Sequence, residues 1–179
     1  MVTKKVRIIG LVAVVLIAAT VGLVLLKTKY APSGEIALKV PAGWYLHHTK
    51  SGGIIFTRQE NLPDIGAAEG FAYGEQITMA ELVLDKSMGE WIATRFPEND
   101  PLYTLKERGI LSGHPTLRVE HEAGASGKVL DYYLFSGDRA YVFSLYPLES
   151  YDAASKITVR NTANVQVLEQ IVSDYATRL

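Results

Sequence analysis

An uninterrupted apolar run near the N-terminus constrains this chain of 179 residues more than any other feature. Residues 8–26 (IIGLVAVVLIAATVGLVLL) carry no charge, and 13 of these 19 residues are Leu, Ile or Val. As an α-helix the run is about 28 Å long, close to the hydrocarbon thickness of a bilayer. A buried helix of a soluble protein normally keeps a polar stripe, and this run has none. The sequence therefore predicts a transmembrane helix over residues 8–26.

The residues that flank the run indicate an uncleaved anchor and its orientation. A secretory signal ends in a small-x-small cleavage site, and no clean pair of this kind follows residue 26. Residues 1–7 hold three basic side chains, whereas Lys27 and Lys29 are the basic residues that follow the run. The positive-inside bias then places residues 1–7 in the cytoplasm. Residues 27–34 are predicted to be a short linker, and residues 35–179 an extracytoplasmic domain.

The charge of the predicted domain excludes several classes of protein. All 19 acidic residues lie beyond the linker together with 13 of the 18 basic ones, so the domain carries a net charge of −6. Such a balance argues against nucleic acid as a partner, because phosphates demand a basic surface. The chain contains no cysteine, which excludes disulfides, thiolate metal sites and a cysteine nucleophile.

Hydrophobic periodicity predicts strands and two helices in the domain. Met88, Trp91, Ile92 and Phe96 fall on one face of a helix over residues 85–96, capped by Asp85 or Ser87. A closing helix over residues 162–178 is predicted to be capped by Thr162 or Asn161 and to turn five side chains inward: Val165, Leu168, Ile171, Val172 and Tyr175. Strands are predicted over residues 36–40, 44–48, 54–58, 71–84, 103–111, 116–121, 128–135 and 139–146.

Turn signals decide how these elements pair. Short loops such as Ser136-Gly137-Asp138 force antiparallel pairing of the strands that they join. Gly74 is interpreted as a β-bulge, and residues 151–160 as polar and irregular. Runs of strands followed by helices are typical of an α+β fold, here an antiparallel β-sheet packed by helices.

A five-residue corner, Val40-Pro41-Ala42-Gly43-Trp44, carries a family resemblance. Together with the central helix, the strands around Gly113, Gly127 and Gly137 and the closing helix, it resembles the PsbP/DcrB-like superfamily over about residues 35–179. The superfamily includes the PsbP subunit of photosystem II, DcrB-type envelope proteins and a yeast nuclear-transport factor that binds Ran. The resemblance implies an α/β/α sandwich with a role in binding or assembly. Without it, Pro, Gly and Trp explain the corner as a turn that covers the core.

Histidines are the candidate residues for metal or acid–base chemistry. His47 and His48 are adjacent, so on a strand they point to opposite faces. His121 lies between Glu120 and Glu122, whose carboxylates face away from it on a strand. A composite site of His47 or His48 with His121 requires their strands to be neighbours. Separate surface or edge histidines are the simpler interpretation.

Other catalytic patterns are not found in the sequence. The segment Gly124-Ala125-Ser126-Gly127 lacks the Gly-x-Ser-x-Gly elbow and suits a hairpin turn. Ser51-Gly52-Gly53 lies between predicted strands, which is typical of a turn rather than a phosphate loop. Asp64, Glu69 and Glu75 border a long loop, where either a cation or polar ligand, or water alone, is expected.

Aromatic residues are dense in the last two predicted strands of the sheet. Alternation turns about half of them to the core, and the others form either an exposed stripe for a partner or a face that the closing helix covers. The stripe hypothesis makes a candidate binding surface of Trp44, His47, His48, Tyr132, Tyr133, Tyr141 and Tyr146.

These observations predict a non-catalytic protein with no cofactor, held to the lipid bilayer by residues 8–26. Its domain is expected to bind a protein partner in the cell envelope. The alternative is an envelope hydrolase or metal-dependent enzyme that uses His47, His48 or His121 with nearby carboxylates. A purely structural tether is a third hypothesis.

Overall fold

Short loops give the main β-sheet its antiparallel pairing. The computed structural model describes residues 38–49, 52–62, 74–123 and 127–179. In this part of the chain seven strands form one sheet in the order β1-β2-β3-β7-β6-β5-β4, and every neighbouring pair is antiparallel. The strands are β1 Tyr45–His48, β2 Ile54–Thr57, β3 Gln76–Val83, β4 Tyr103–Leu111, β5 His114–Glu122, β6 Lys128–Ser136 and β7 Arg139–Tyr146. A separate two-stranded ribbon consists of β8 Glu149–Asp152 and β9 Ile157–Arg160.

Two helices cover opposite sides of the sheet. Helix α1, Met88–Arg95, connects β3 to β4, and helix α2, Thr162–Ala176, follows the ribbon. On the α1 side, Ile92 and Phe96 belong to a core with Leu117 and Tyr133. On the α2 side, residues of the helix such as Leu168 and Tyr175 share a second core with the sheet. The fold is therefore α+β, as predicted, with the sheet between two helices.

Alternation along the strands divides the side chains between the two cores. In β6, Tyr133 belongs to the α1-side core and its neighbour Leu134 to the α2-side core. The five inward residues predicted for α2 are all buried, and its cap is Asn161, whose side chain accepts from the Asn164 N–H at 3.3 Å. Helix α1 is capped by Ser87 and begins at Met88, later than residue 85. Both helices thus confirm the apolar spacing seen in the sequence.

Three predictions about local structure were wrong. Residues 38–40 are not in a strand. Gly74 forms a bend before β3 at φ +73°, not a bulge within it, because the left-handed backbone is used to enter the strand. Residues 151–160 contribute to the β8–β9 ribbon and are not irregular. Periodicity missed the ribbon because the sheet does not bury it, which leaves no alternation of apolar and polar residues.

The predicted membrane segment lies outside the described residues, as do residues 1–7 and the linker 27–34. Within the described ranges, no helix combines the length and apolar character required to cross a bilayer.

Candidate functional site

Charged side chains occupy the part of the sheet beside α2. The helix packs over β6 and β7. Beyond it, Arg118 of β5 lies 3.6 Å from the Glu107 carboxylate of β4 and 3.4 Å from that of Glu169 in α2. We call Glu107, Arg118, Glu120 and Glu169 the charged shelf. The Nε atom of Arg118 is buried and has no hydrogen-bond partner within the described part of the chain, whereas the side chains of Glu107 and Glu169 are 59% and 45% exposed.

Two ion pairs attach the ribbon to the sheet at the border of this shelf. Arg160 donates to the carboxylate of Glu120, whose side chain is only 12% exposed. The hydrogen bond with Glu120 raises the pKa of Arg160 further above its usual value, so the guanidinium stays charged. Lys128 of β6 donates to Glu149 at 3.0 Å. Both contacts lie at the base of the ribbon, where β8 begins and β9 ends.

Beyond its base, the ribbon exposes apolar side chains on both of its faces. Tyr151 is 67% exposed, Ile157 57% and Val159 43%. The register pairs Tyr151 with Thr158 and Asp152 with Ile157, so Tyr151 lies on one face and Ile157 with Val159 on the other. The sequence prediction missed this surface. The run of β-branched residues from Ile157 to Val159 is the signal that could have found it.

The three histidines singled out in the sequence are not brought together. His47 and His48 pair with consecutive residues of β2 and point to opposite faces, as predicted. Four strands separate β1 from β5, which carries His121, so about 24 Å lies between them. The composite site of His47 or His48 with His121 is therefore wrong. Among the described residues, no cluster of three or more His, Asp or Glu side chains could hold a metal ion.

His121 has instead a carboxylate partner on the neighbouring strand. Its Nε2 lies 3.1 Å from Oδ2 of Asp131, and its Nδ1 lies 3.4 Å from the Glu122 carbonyl oxygen. Asp131 also accepts from the Tyr133 hydroxyl at 3.3 Å. The hydrogen bond with Asp131 raises the pKa of His121, although burial opposes this shift. Because both ring nitrogens face acceptors, the geometry favours an imidazolium that donates twice.

The corner at Trp44 joins β1, β2 and α2. Gly43 adopts φ +74°, and the Trp44 N–H donates to the Pro41 carbonyl at 3.1 Å. Trp44 is only 4% exposed, and the Arg58 guanidinium lies 4.5 Å from the centre of its ring. Arg58 also donates to Oδ1 of Asn164 in α2 at 3.4 Å. The corner is therefore a packed joint between elements.

Glu75 belongs to the same joint. Its carboxylate lies 3.6 Å from Nε of Arg58 and accepts from the Asn161 side chain at 3.2 Å. The sequence prediction named three carboxylates at this loop. The structure describes Glu75, whereas Asp64 and Glu69 lie outside the described residues. Glu75 thus links β3 to the start of α2.

The exposed aromatic stripe is not formed. Trp44, Tyr133 and Tyr141 are buried, because each side of the sheet lies under a helix. Tyr141 packs on Tyr175 of α2, with ring centroids 5.0 Å apart. The covered face was the other predicted arrangement, and the structure confirms it. The other members of the proposed surface are the half-buried Tyr132, Tyr146 and His47 and the exposed His48.

Comparison with known proteins identified no relative of this chain. No protein-family model matches the chain, and no curated protein matches it.

Proposed function

We propose that the protein is a non-catalytic binding or assembly module of the cell envelope, tethered to the membrane by residues 8–26. The observation that carries the binding role is the charged shelf formed by β4, β5 and α2. Arg118 there is shared between the carboxylates of Glu107 and Glu169, whose side chains are 59% and 45% exposed and so accessible to a partner. A protein partner that supplies basic or other donor side chains to these carboxylates would form charge-assisted hydrogen bonds with them.

The proposed tether and topology depend on the sequence. The apolar run has the length and composition of a spanning helix, and its basic flanks favour a cytoplasmic N-terminus. Residues 35–179 would then lie outside the cytoplasm. The tether also keeps the domain close to partners in the same membrane, which raises their effective concentration.

We also propose that the domain is PsbP/DcrB-like. The antiparallel sheet between two helices and the buried Trp44 of the Pro41–Trp44 corner support this assignment. The roles of that superfamily, mostly binding and assembly, agree with the function proposed above, although a fold alone does not define a function.

The contacts of His121 disfavour it as a metal ligand or general base, whereas His47 has one ring nitrogen engaged. A metal ligand or general base needs a ring nitrogen with a free lone pair. Both nitrogens of His121 face acceptor oxygens, and Nε2 of His47 lies 3.0 Å from the Gln59 carbonyl. In these contacts a neutral or charged histidine donates hydrogen bonds and so links its strand to a neighbouring strand or loop.

Site-specific photocrosslinking in intact cells tests the proposed binding surface. Benzoylphenylalanine at position 107 or 169 is expected to give the same discrete protein adduct, because both side chains contact Arg118. Position 98, exposed beyond α1 on the other side of the sheet, is the control and should not give it. The substitution Arg118→Glu should remove the adduct while the circular dichroism spectrum stays unchanged. The proposal fails if all three positions give the same products, or if purified protein turns over a substrate and His121→Ala abolishes the turnover.

A further inference from the structure

We propose that the β8–β9 ribbon lies in the interfacial layer of the bilayer, with Tyr151, Ile157 and Val159 in contact with lipid. This inference rests on the proposed membrane tether. It assigns a second, peripheral membrane contact to the folded domain.

The start of β1, which follows the proposed tether, and the exit from β7 to the ribbon lie at the same end of the sheet. The register aligns Tyr45 at the start of β1 with Thr57, Gln76 and then Tyr146 at the end of β7, from which the chain continues to the ribbon. Leu38, the first described residue, packs against the core on the α2 side. The ribbon is attached on that side too, through Arg160 and Glu120.

The connection to the apolar run is short. Eleven residues separate Leu26 from Leu38. Fully extended, they span at most about 40 Å, and a relaxed chain spans much less. A membrane helix over residues 8–26 would therefore hold this end of the sheet near the bilayer surface.

The distribution of apolar side chains favours lipid over a protein groove. A groove covers one face of a ribbon, whereas Tyr151 lies on one face and Ile157 and Val159 on the other. The headgroup layer surrounds an inserted ribbon and contacts both faces. Tyrosine is enriched at this depth, where its ring meets acyl chains and its hydroxyl meets water.

The charge of the ribbon and the hydrogen-bonding needs of its backbone determine how deeply it can lie in the bilayer. The ribbon from Glu149 to Arg160 is neutral, since Asp152 and Glu149 balance Lys156 and Arg160, whereas the whole domain carries −6. Anionic lipids therefore repel the ribbon less than the rest of the domain. The outer edges of a two-stranded ribbon have unpaired N–H and C=O groups, which headgroups and water can satisfy but hydrocarbon cannot.

Single-cysteine labelling tests this placement. The chain has no native cysteine, so no other position is labelled. The variants Y151C and I157C carry an environment-sensitive nitrobenzoxadiazole label in the full chain, reconstituted in vesicles of phosphatidylcholine and phosphatidylglycerol. The control is I110C, since Ile110 is 78% exposed on β4 at the opposite end of the sheet. Blue-shifted emission, with quenching by spin-labelled lipid, is expected at positions 151 and 157 but not at 110.

The outcomes distinguish a failure of the proposed lipid contact from a failure of the proposed tether. If the full chain does not float with the vesicles, both the tether and the lipid contact are wrong. If the chain floats and the labels at 151 and 157 emit like the label at 110, the tether stands and the ribbon does not contact lipid. That second result would indicate a protein as the partner of the ribbon.

Discussion

The Nε2 atom of His121 lies 3.1 Å from the carboxylate of Asp131, and this pair links β5 to β6 on the α1 side of the sheet. The pair predicts a pH-dependent stability. The hydrogen bond with Asp131 raises the pKa of His121 above its usual value of 6.5 in the folded state. Its contribution to the free energy of unfolding is therefore fully present below about pH 6.5 and is lost as the pH rises through the folded-state pKa.

Urea unfolding of the full chain in detergent, measured from weakly acidic to alkaline pH, checks this prediction. The control is Asp131→Asn, which should lower stability by about 1–3 kcal/mol at acidic pH and flatten the pH dependence in this range. A wild-type profile that keeps rising through neutral pH, or a variant with the same slope, would contradict the assignment.

The joint at Trp44 is expected to be a major source of stability. The substitution Trp44→Ala removes a buried indole and the ring on which Arg58 lies, so we expect a loss of about 3–5 kcal/mol. The neighbouring Tyr45 is 40% exposed, and Tyr45→Ala is the matched control with an expected change within about 0.5 kcal/mol. Equal losses from the two variants in thermal or urea unfolding would show that the corner is not a packed joint.

The N-terminus of α2 provides a test of capping. Asn161→Ala removes the side-chain acceptor for the Asn164 N–H and the donor to Glu75, and is expected to destabilise by about 1 kcal/mol or slightly more. Thr162→Ala, one residue later at an exposed position, is the control and should be nearly neutral. A larger effect from the threonine would move the cap from Asn161 to Thr162, the alternative that the sequence left open.

A buried carboxylate in β3 is paired with a cation of β7. The Glu81 side chain is 3% exposed and accepts from Arg139 at the start of β7. The substitution Arg139→Ala removes the cation and leaves the Glu81 carboxylate poorly solvated. We therefore expect the free energy of unfolding to fall by about 1–3 kcal/mol. Neutralising the carboxylate in the double variant Glu81→Gln, Arg139→Ala should restore part of this loss. No recovery in a double-mutant cycle would show that the pair is not coupled.

Local patterns predicted most of the elements because they report burial within one helix or strand. The spacing of Leu168 and Val172 identified the inner face of α2, and the change of period around Trp91 identified α1. The alternation in β5 placed Glu120 away from His121, as the structure confirms. Each of these inferences needed only residues from the same element.

The charged shelf and the histidine pair could not be found in this way. Arg118 meets Glu169 only because α2 returns over the sheet, and His121 meets Asp131 only through the register of β5 on β6. The burial of Trp44, Tyr133 and Tyr141, three members of the candidate aromatic surface, could not be predicted for the same reason. Alternation separates Tyr132 from Tyr133 but does not say what covers each face.

The sequence by itself determined the apolar run, the acidic balance of the domain, the antiparallel pairing of strands joined by short loops and the inner faces of both helices. These properties follow from composition and from periods of two or 3.6 residues. Only the tertiary structure decided the insertion of β7 between β3 and β6, the side of the sheet that each helix covers and the exposure of the ribbon. Such relationships join residues far apart in the chain, and the free energy that selects them comes from burial in the whole fold rather than from any local pattern.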